Sequence, residues 1–173
     1  MTSLQRLAEL ARAQGGLLAA VVRDDSLLAG NGAPEQGPAQ IASAGPRAEG
    51  NRERYELLME AIYEGYLLHY SQPRVVDGVP DDLCLLAGDR LYALGLSLLV
   101  ELGDIDAVSE LADLITISAR AQEADDLDMA EAAWLAGARS IGWGQSASHR
   151  IAKELAFANA PDALAAMRVS TRA

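Results

Sequence analysis

Apolar residues recur at every third or fourth position along most of this chain, which is the spacing of an amphipathic helix. The segment "SLQRLAELARAQ" predicts a first helix that begins after a cap at Thr2 or Ser3. Two glycines interrupt it, and the pattern then predicts helix again from Gly16 to Ala29. The first part of the chain is therefore expected to be helical.

The pattern disappears after Gly30, where the chain is crowded with Gly, Pro, Ala and Ser. A stretch of this composition predicts a flexible linker or a long loop. We therefore expect three parts: an N-terminal helical arm over 1–29, the linker over 30–50 and a helical domain over 51–173.

Helical periodicity returns after Asn51, a good N-cap, with one apolar stripe along the segment "RERYELLMEAIYEGYLLHYSQ". Pro73 is expected to end that helix. The next helix opens at Pro80 and runs to about Leu102. It is apolar on nearly all sides, which predicts a central position in the bundle.

The second half of the chain continues the helical pattern. Gly103 and Asp104 are expected to end the apolar helix and to cap another. In the link that follows, Asp128 and Glu131 have the spacing of a capping box. One long helix and a short C-terminal helix after Pro161 complete the chain. Because no segment alternates as a strand does, the predicted fold class is all-α, a helical bundle.

The composition restricts the partners that the chain can bind. Its net charge of −11 at pH 7 repels nucleic acid phosphates and anionic membrane surfaces, so no nucleic acid partner is expected. The one cysteine, Cys84, excludes an internal disulfide and suits a reducing compartment. The longest uncharged helical run, "LYALGLSLLV", is about half a membrane span. We therefore expect a soluble cytoplasmic protein without a transmembrane segment.

Aspartates cluster at three places, but their spacing does not suit a metal site. A magnesium–diphosphate site on a helix needs acids at i and i+3 or i+4, so that both face one cation. Only Asp125 and Asp128 keep that relation, in a link where capping explains them. His69 and His149 have no Cys or acid at metal spacing, and no phosphate-binding glycine loop is present in the sequence. The residues themselves predict no catalytic group and no metal ligand, and they leave the function open.

One segment resembles a known family. "LLAGDRLYALGLSLLVELGDIDAVSELADLI", Leu85–Ile115, resembles the trans-type polyprenyl diphosphate synthases, in which an "LxGDxLxxxA" helix precedes a helix with "LxxLGDxxxxxxLAxAI". Gly88 and Asp89 are the landmark of this resemblance. The flanking segments "AIYEGYLLHYSQ" and "MAEAAWLAGARSIGWG" resemble the helices before and after, so the resemblance covers about 51–145. It implies a bundle like part of the isoprenoid synthase fold.

The chain departs from the family where the family binds diphosphate. The first aspartate-rich motif would follow "HYS", but this chain has Gln72, Pro73, Arg74 and Val75 there, and Asp77 is alone in the loop. The Lys-Thr pair of the later helix is replaced by Ala130 and Glu131. A second aspartate-rich helix is not found. Without these acids nothing would hold Mg²⁺ against a departing diphosphate, so the chain is not expected to be catalytic alone.

Some members of the family work as two unlike chains, and this chain resembles the small one. The resemblance implies a non-catalytic subunit that stabilises a catalytic partner and helps to set product length in isoprenoid biosynthesis. The partner would carry the DDxxD motifs and the Mg²⁺, and this chain would bind no cofactor. Contact with the hydrophobic isoprenoid product would place a cytoplasmic protein at the membrane periphery.

In the family, the Gly-Asp helix and the one after it form the dimer interface. A helix that is apolar all round suits this, because one side can pack its own core and the other a partner. The residues expected to contact a partner or to line the pocket for the growing chain are Tyr92, Leu96, Leu99, Val108, Ala112 and Ile115.

Two alternatives remain open at this point. A degenerate synthase-like domain could serve as an accessory or scaffold subunit of another complex, with the same helices as its docking surface. An enzyme of unrelated chemistry would need the region of Asp125 and Asp128, or that of His69, to assemble a site that sequence does not reveal.

Overall fold

The computed structural model describes residues 1–24, 28, 37–78 and 80–172. These residues form an all-α fold, which confirms the predicted fold class: 78% is helical and no strand occurs among them. A single antiparallel bridge joins Val22 to Val76. The α-helices of the described residues are α1 Ser3–Gln14, α2 Gly16–Val21, α3 Pro38–Ala44, α4 Arg52–Tyr70, α5 Asp81–Leu102, α6 Ile105–Glu123, α7 Leu127–Trp143, α8 Ala147–Phe157 and α9 Ala163–Ser170.

Local capping chemistry sets several of these helix ends. Of the two predicted caps of α1, Thr2 is the one observed: it accepts a hydrogen bond from the backbone of Gln5, and the Gln5 side chain completes a capping box. Gly103 ends α5 in the left-handed conformation, and Asp104 then caps α6. At the start of α7 the prediction of Asp128 and Glu131 as a capping box is wrong. Asp126 is the cap, because its side chain accepts from the backbone of Met129.

Helix α4, rather than α5, occupies the centre of the bundle. Helices α1, α3 and α5 all pack against it, and α7 meets it through Trp134, whose ring lies 4.9 Å from that of Tyr63 and 5.0 Å from that of Tyr66. The predicted central position of α5 is therefore wrong. Its uniform apolarity does not report burial, because α5 packs on α4 with one side and leaves the other open to solvent.

Three glycines allow α4 and α5 to approach closely. A Cβ atom on Gly65 would lie 2.9 Å from the carbonyl oxygen of Gly88, and one on Gly88 would lie 3.0 Å from that of Gly65. About two turns further along α5, a Cβ on Gly95 would lie 2.3 Å from the side chain of Ile62. Gly88 is therefore required by backbone contact between the two helices.

The N-terminal arm packs onto the bundle. Leu4, Leu7 and Ala11 of α1 are buried, in a second apolar cluster that includes residues of α4 and α5. Helix α2 ends at Val21, before the Ala29 that the periodicity predicts; residues 25–27 and 29 lie outside the described residues.

A helix lies within the segment for which composition predicts a linker. Helix α3 packs against α4 and α7, and a 3₁₀ turn follows it at Pro46–Ala48. Its sequence, "PAQIASA", is small and weakly patterned, so composition conceals a helix that is held by close packing. Residues 30–36 of the same segment lie outside the described residues. The division of the chain into arm, linker and domain stays a prediction.

The long helix predicted near the C-terminus is two helices. Gly144, at a φ of 92°, ends α7, and Ser146 caps α8 by accepting from the backbone of His149. Because L side chains rarely adopt a positive φ, the glycine permits the break.

Replacement of Gly142 by alanine tests the contact between α3 and α7. A Cβ at this position would lie 2.2 Å from the carbonyl oxygen of Ala42, a backbone atom that cannot turn aside. We expect Gly142→Ala to lower the free energy of unfolding by about 3 kcal/mol in urea denaturation. Gly137→Ala on the same helix is the matched control, because its Cβ would meet only the movable side chain of Leu114. Equal losses for the two variants would contradict the role given to Gly142.

Candidate functional site

One side of α5 exposes apolar residues that no other described part of the chain covers. We call it the outer stripe: the exposed residues Leu85, Leu86, Asp89, Ala93 and Val100. They recur at helical spacing on the side opposite the packed side of α5, where Ser97 is exposed as well, and Leu86 and Val100 are 60% and 68% exposed. Asp89 lies at the edge of the stripe that reaches α4. Water covers this apolar surface in the isolated chain, at a cost that any covering surface would remove.

The composition of α5 bears on what could cover it. Among the described residues one segment, Asp82–Leu102, is long and apolar enough to cross a membrane by length and composition, with a mean hydropathy of 1.7. Only 33% of its most apolar window is buried. Core helices of soluble proteins meet the same criterion, so hydropathy by itself does not identify what packs against the exposed side of α5.

The structure divides the six predicted contact residues between core and periphery. Leu99 is fully buried and belongs to the core. The other two predicted residues of α5, Tyr92 and Leu96, are half-buried at the edge of the same core. On α6, Val108 and Ile115 are half-buried there too.

Ala112 is the exposed residue among the three on α6. It belongs to a side of α6 that carries no charged residue in the middle turns of the helix. The exposed or half-buried residues on that side are Ile105, Val108, Ser109, Ala112, Ile115, Thr116 and Ala119.

The landmark Asp89 faces a histidine of α4. Its Oδ1 atom lies 3.2 Å from Nε2 of His69, without the alignment of a hydrogen bond. The His69 ring stacks on Tyr92 at 5.4 Å and lies against Gly88, where a Cβ would come within 2.7 Å of it. The side chain of Asp89 is 70% exposed. The carboxylate therefore keeps most of its hydration in the isolated chain.

Tyrosines lie along the C-terminal half of α4. Tyr66 stacks on Tyr63 and meets the Tyr70 ring at an interplanar angle of 45°. Its hydroxyl accepts a hydrogen bond of 2.5 Å from Nε2 of Gln122 on α6. Burial raises the pKa of the Tyr63 and Tyr66 hydroxyls, so both stay neutral. Tyr66 is buried and its hydroxyl is bonded to Gln122, so the aromatic surface exposed at this end of the helix is that of Tyr70, which is 44% exposed.

Two acids of α4 are buried nearby, and the sequence analysis did not single them out. Glu60 and Glu64 are at most 1% exposed. Arg74 reaches both, at 2.7 Å from Glu60 and 3.0 Å from Glu64. Glu60 also accepts from the Ser3 hydroxyl, and Glu64 from the backbone N–H of Val75 at 2.7 Å. Although Arg74 opposes it, burial raises the pKa of Glu64.

These contacts fix the role of the pair. The carboxylates hold the loop after α4 and the start of α1 against the bundle, and their oxygens are committed to protein donors. A signal for them was present in the sequence: they are the two acids inside the otherwise apolar segment "LLMEAIYEGYLLHY", which predicts burial with a partner.

A second buried cluster joins α6, α8 and α9. Glu110 accepts from Nε2 of His149 at 2.5 Å and from Nζ of Lys153 at 2.8 Å, and Lys153 also binds Asp113 at 2.6 Å. Burial alone would raise the pKa of Glu110, but the hydrogen bond and charge of His149 and the contact with Lys153 lower it below its ordinary value. A polar cavity of about 280 Å³ lies beside Glu110 and Lys153.

The acid–histidine–serine order of this cluster resembles a catalytic triad, but its geometry is structural. Nδ1 of His149 lies 3.2 Å from Oγ of Ser170, and the serine hydroxyl donates to the carbonyl of Met167 at 2.8 Å. Ser170 is 3% exposed, so no substrate carbonyl could reach it. The cluster ties the two C-terminal helices to α6.

Asp104 links the turn between α5 and α6 to the 3₁₀ turn after α3. Its carboxylate accepts from Tyr55 at 2.6 Å and from Arg47 at 2.5 Å while it caps Ala107 at 3.1 Å. Burial would raise the pKa of Asp104, but the bonds from Tyr55 and Arg47 lower it. Burial and the hydrogen bond to Asp104 raise the pKa of Tyr55 to about 12.

Metal ligands do not converge in the part of the chain that the structure describes, where no group of three His, Cys, Asp or Glu side chains is placed to hold an ion. Comparison of the chain with protein-family models, with curated proteins and with solved structures found no match.

The lowered pKa values of Glu110 and Asp104 predict acid sensitivity. Each carboxylate contributes stability that is complete above its unfolded pKa, about 4 for either acid, and that is lost as the pH falls through the lower folded value. We expect the free energy of unfolding, measured in urea between about pH 7 and pH 3, to decline on acidification. Glu110→Gln should lose about 3 kcal/mol near neutral pH and then decline less steeply.

Comparison of that variant with the parent isolates Glu110 from Glu64, whose raised pKa acts with the opposite sign. Glu123→Gln on the exposed end of α6 is the control and should follow the parent. A decline as steep in Glu110→Gln as in the parent would refute the assignment.

Two substitutions of Asp104 separate its two contributions. Asparagine caps helices well, so Asp104→Asn should keep the cap of α6 and lose the negative charge, and with it the strong acceptor for Arg47 and Tyr55, at a cost of about 1 kcal/mol. Asp104→Ala should lose both, at about 2 kcal/mol. Thermal and urea denaturation of both variants measure the difference; equal stability of the two would show that the cap contributes nothing.

Proposed function

We propose that this chain is the small, non-catalytic subunit of a heteromeric medium- or long-chain polyprenyl diphosphate synthase. Its partner would supply the DDxxD motifs and Mg²⁺, and would condense isopentenyl diphosphate onto an allylic primer. This chain would stabilise the partner and help to shape the pocket for the growing isoprenoid, in the cytoplasm and peripheral to the membrane through the product.

The outer stripe of α5 is the observation that carries the proposal. The stripe lies on the helix that resembles the Gly-Asp helix of the synthases, and that helix forms the dimer interface in the family. Its exposed leucines and valine form a surface that a second helical chain could bury, which is how obligate interfaces gain most of their stability. Tyr92 and Leu96 lie at its margin and would extend the contact.

The C-terminal end of α4 favours a non-catalytic role for this chain. In the synthases the corresponding positions hold the first metal-binding acids, whereas here Tyr70 ends the helix. The nearest acids, Glu60 and Glu64, are bound by Arg74, Ser3 and the backbone. The exposed ring of Tyr70 at this place could contact a hydrocarbon product, because aromatic rings provide large apolar contact area.

Co-expression with a candidate catalytic subunit from the same genome tests the proposal. We expect the two chains to co-purify, and we expect prenyl transfer and product length, measured by chromatography of the dephosphorylated products, to change when this chain is left out. Leu86 is exposed, so Leu86→Glu should abolish co-purification without unfolding the chain. The control Glu123→Gln, also at an exposed position, should leave co-purification unchanged.

Unchanged activity and product length without this chain would refute the proposal. Recovery of the chain in a large assembly that contains no DDxxD protein would instead support an accessory subunit of another complex.

A further inference from the structure

We propose that the partner recognises the outer stripe through Asp89, and that it is a helical protein surface which is apolar except for one basic side chain placed against this carboxylate. The inference rests on the proposed function and adds the chemistry that selects the partner.

The charges on the open side of α5 argue for a protein cover and against a lipid one. Asp82, Asp89, Arg90 and Glu101 are all exposed on this helix. Asp89 and Arg90, which lie away from the ends of the helix, would be strongly unfavourable in the hydrocarbon core of a bilayer. The opposite side of α5 is committed to α4 through backbone contact at Gly88, so the helix is not free to rotate its charges inward.

Asp89 is the charged residue for which a partner must supply a counter-charge. Asp82 and Glu101 lie near the two ends of α5, where a rim can stay hydrated, whereas Asp89 lies between Leu86 and Ala93 along the length of the stripe. A purely apolar partner would strip the water from its carboxylate, which is unfavourable unless a counter-charge replaces the water.

The groups around Asp89 leave that role to the partner. His69 is at 3.2 Å but is not aligned to donate to it. The neighbouring Arg90 donates to Oε1 of Gln14 on α1 at 2.7 Å. A lysine or arginine of the partner could form a charge-assisted hydrogen bond with the exposed carboxylate, and this bond would be strong because the surrounding leucines exclude water.

The overall charge of the chain makes a second copy a poor occupant of the stripe. Each copy carries a net charge of −11, so two copies repel each other before they meet, and the cation nearest to Asp89 in its own sequence is already bound to α1. A basic site on an unlike chain is favoured by the same field.

The affinity of the complex for the Asp89→Asn variant tests the inference. The substitution keeps the shape and removes the charge, and the side chain is 70% exposed, so the free chain should fold as the parent does by circular dichroism. Binding to the co-purifying catalytic subunit is measured by titration calorimetry at about 0.05 M and about 1 M salt. We expect the Kd to rise about tenfold or more at low salt, and the difference to shrink at high salt.

Asp82→Asn and Glu101→Gln are the matched controls, because they remove exposed acids near the ends of the same helix. Both should bind within about twofold of the parent. A complex that tolerates Asp89→Asn as well as it tolerates the controls overturns this inference and leaves the proposed function intact. The absence of any complex overturns the proposed function itself.

The other occupants are tested on the chain alone. Sedimentation equilibrium should show a monomer at micromolar concentration, and a dimer that Leu86→Glu dissociates would overturn the inference in favour of a second copy. Flotation with vesicles of phosphatidylcholine and phosphatidylglycerol should recover no chain. Vesicle binding that is lost in Leu86→Glu would overturn it in favour of a lipid surface.

Discussion

The close crossing of α4 and α5 is the constraint on which the arrangement of the bundle depends. Because Gly65, Gly88 and Gly95 carry no side chain, the two helix backbones approach to a distance that any Cβ would prevent. Such an approach fixes which side of α5 faces inward. The side chains on the opposite side must then point to solvent, although the sequence makes them as apolar as the buried ones.

Charged groups in this molecule mainly hold segments together. Arg74 joins the loop after α4 to two buried acids, Asp104 joins two turns, and Glu110 joins the C-terminal helices to α6. Buried carboxylates of this kind are costly to leave unpaired, so each is surrounded by donors. In a chain with a net charge of −11, this use of the few cations leaves most acids on the surface.

The sequence predicted the helices well because their periodicity and caps are local properties. The capping roles of Thr2 and Asp104 followed from residue type and position alone. The central position assigned to α5 failed because hydropathy does not distinguish a helix buried in its own chain from one that is open to a partner. Helix α3 was missed because close backbone packing against Gly142, and not an apolar stripe, holds it in place.

The buried clusters were predictable only in part. Two acids in an otherwise apolar helix indicated burial, but the identity of their partner depends on how the loop returns to place Arg74. Glu110, His149 and Lys153 lie on different helices, and no spacing in the sequence brings them together. Among the predicted contact residues, Leu99 differs from Leu96 only by its angle around the helix, which the crossing with α4 decides.

The outer stripe also bears on the solubility of the chain. Uncovered leucines on one helix face promote association between copies as concentration rises. The strong negative charge of the chain opposes this association, because like-charged copies repel at long range and negative surface charge favours solubility. The negative net charge of the chain therefore helps to keep the exposed stripe from self-association in water. This protection weakens as the salt concentration rises, because salt screens the repulsion between copies.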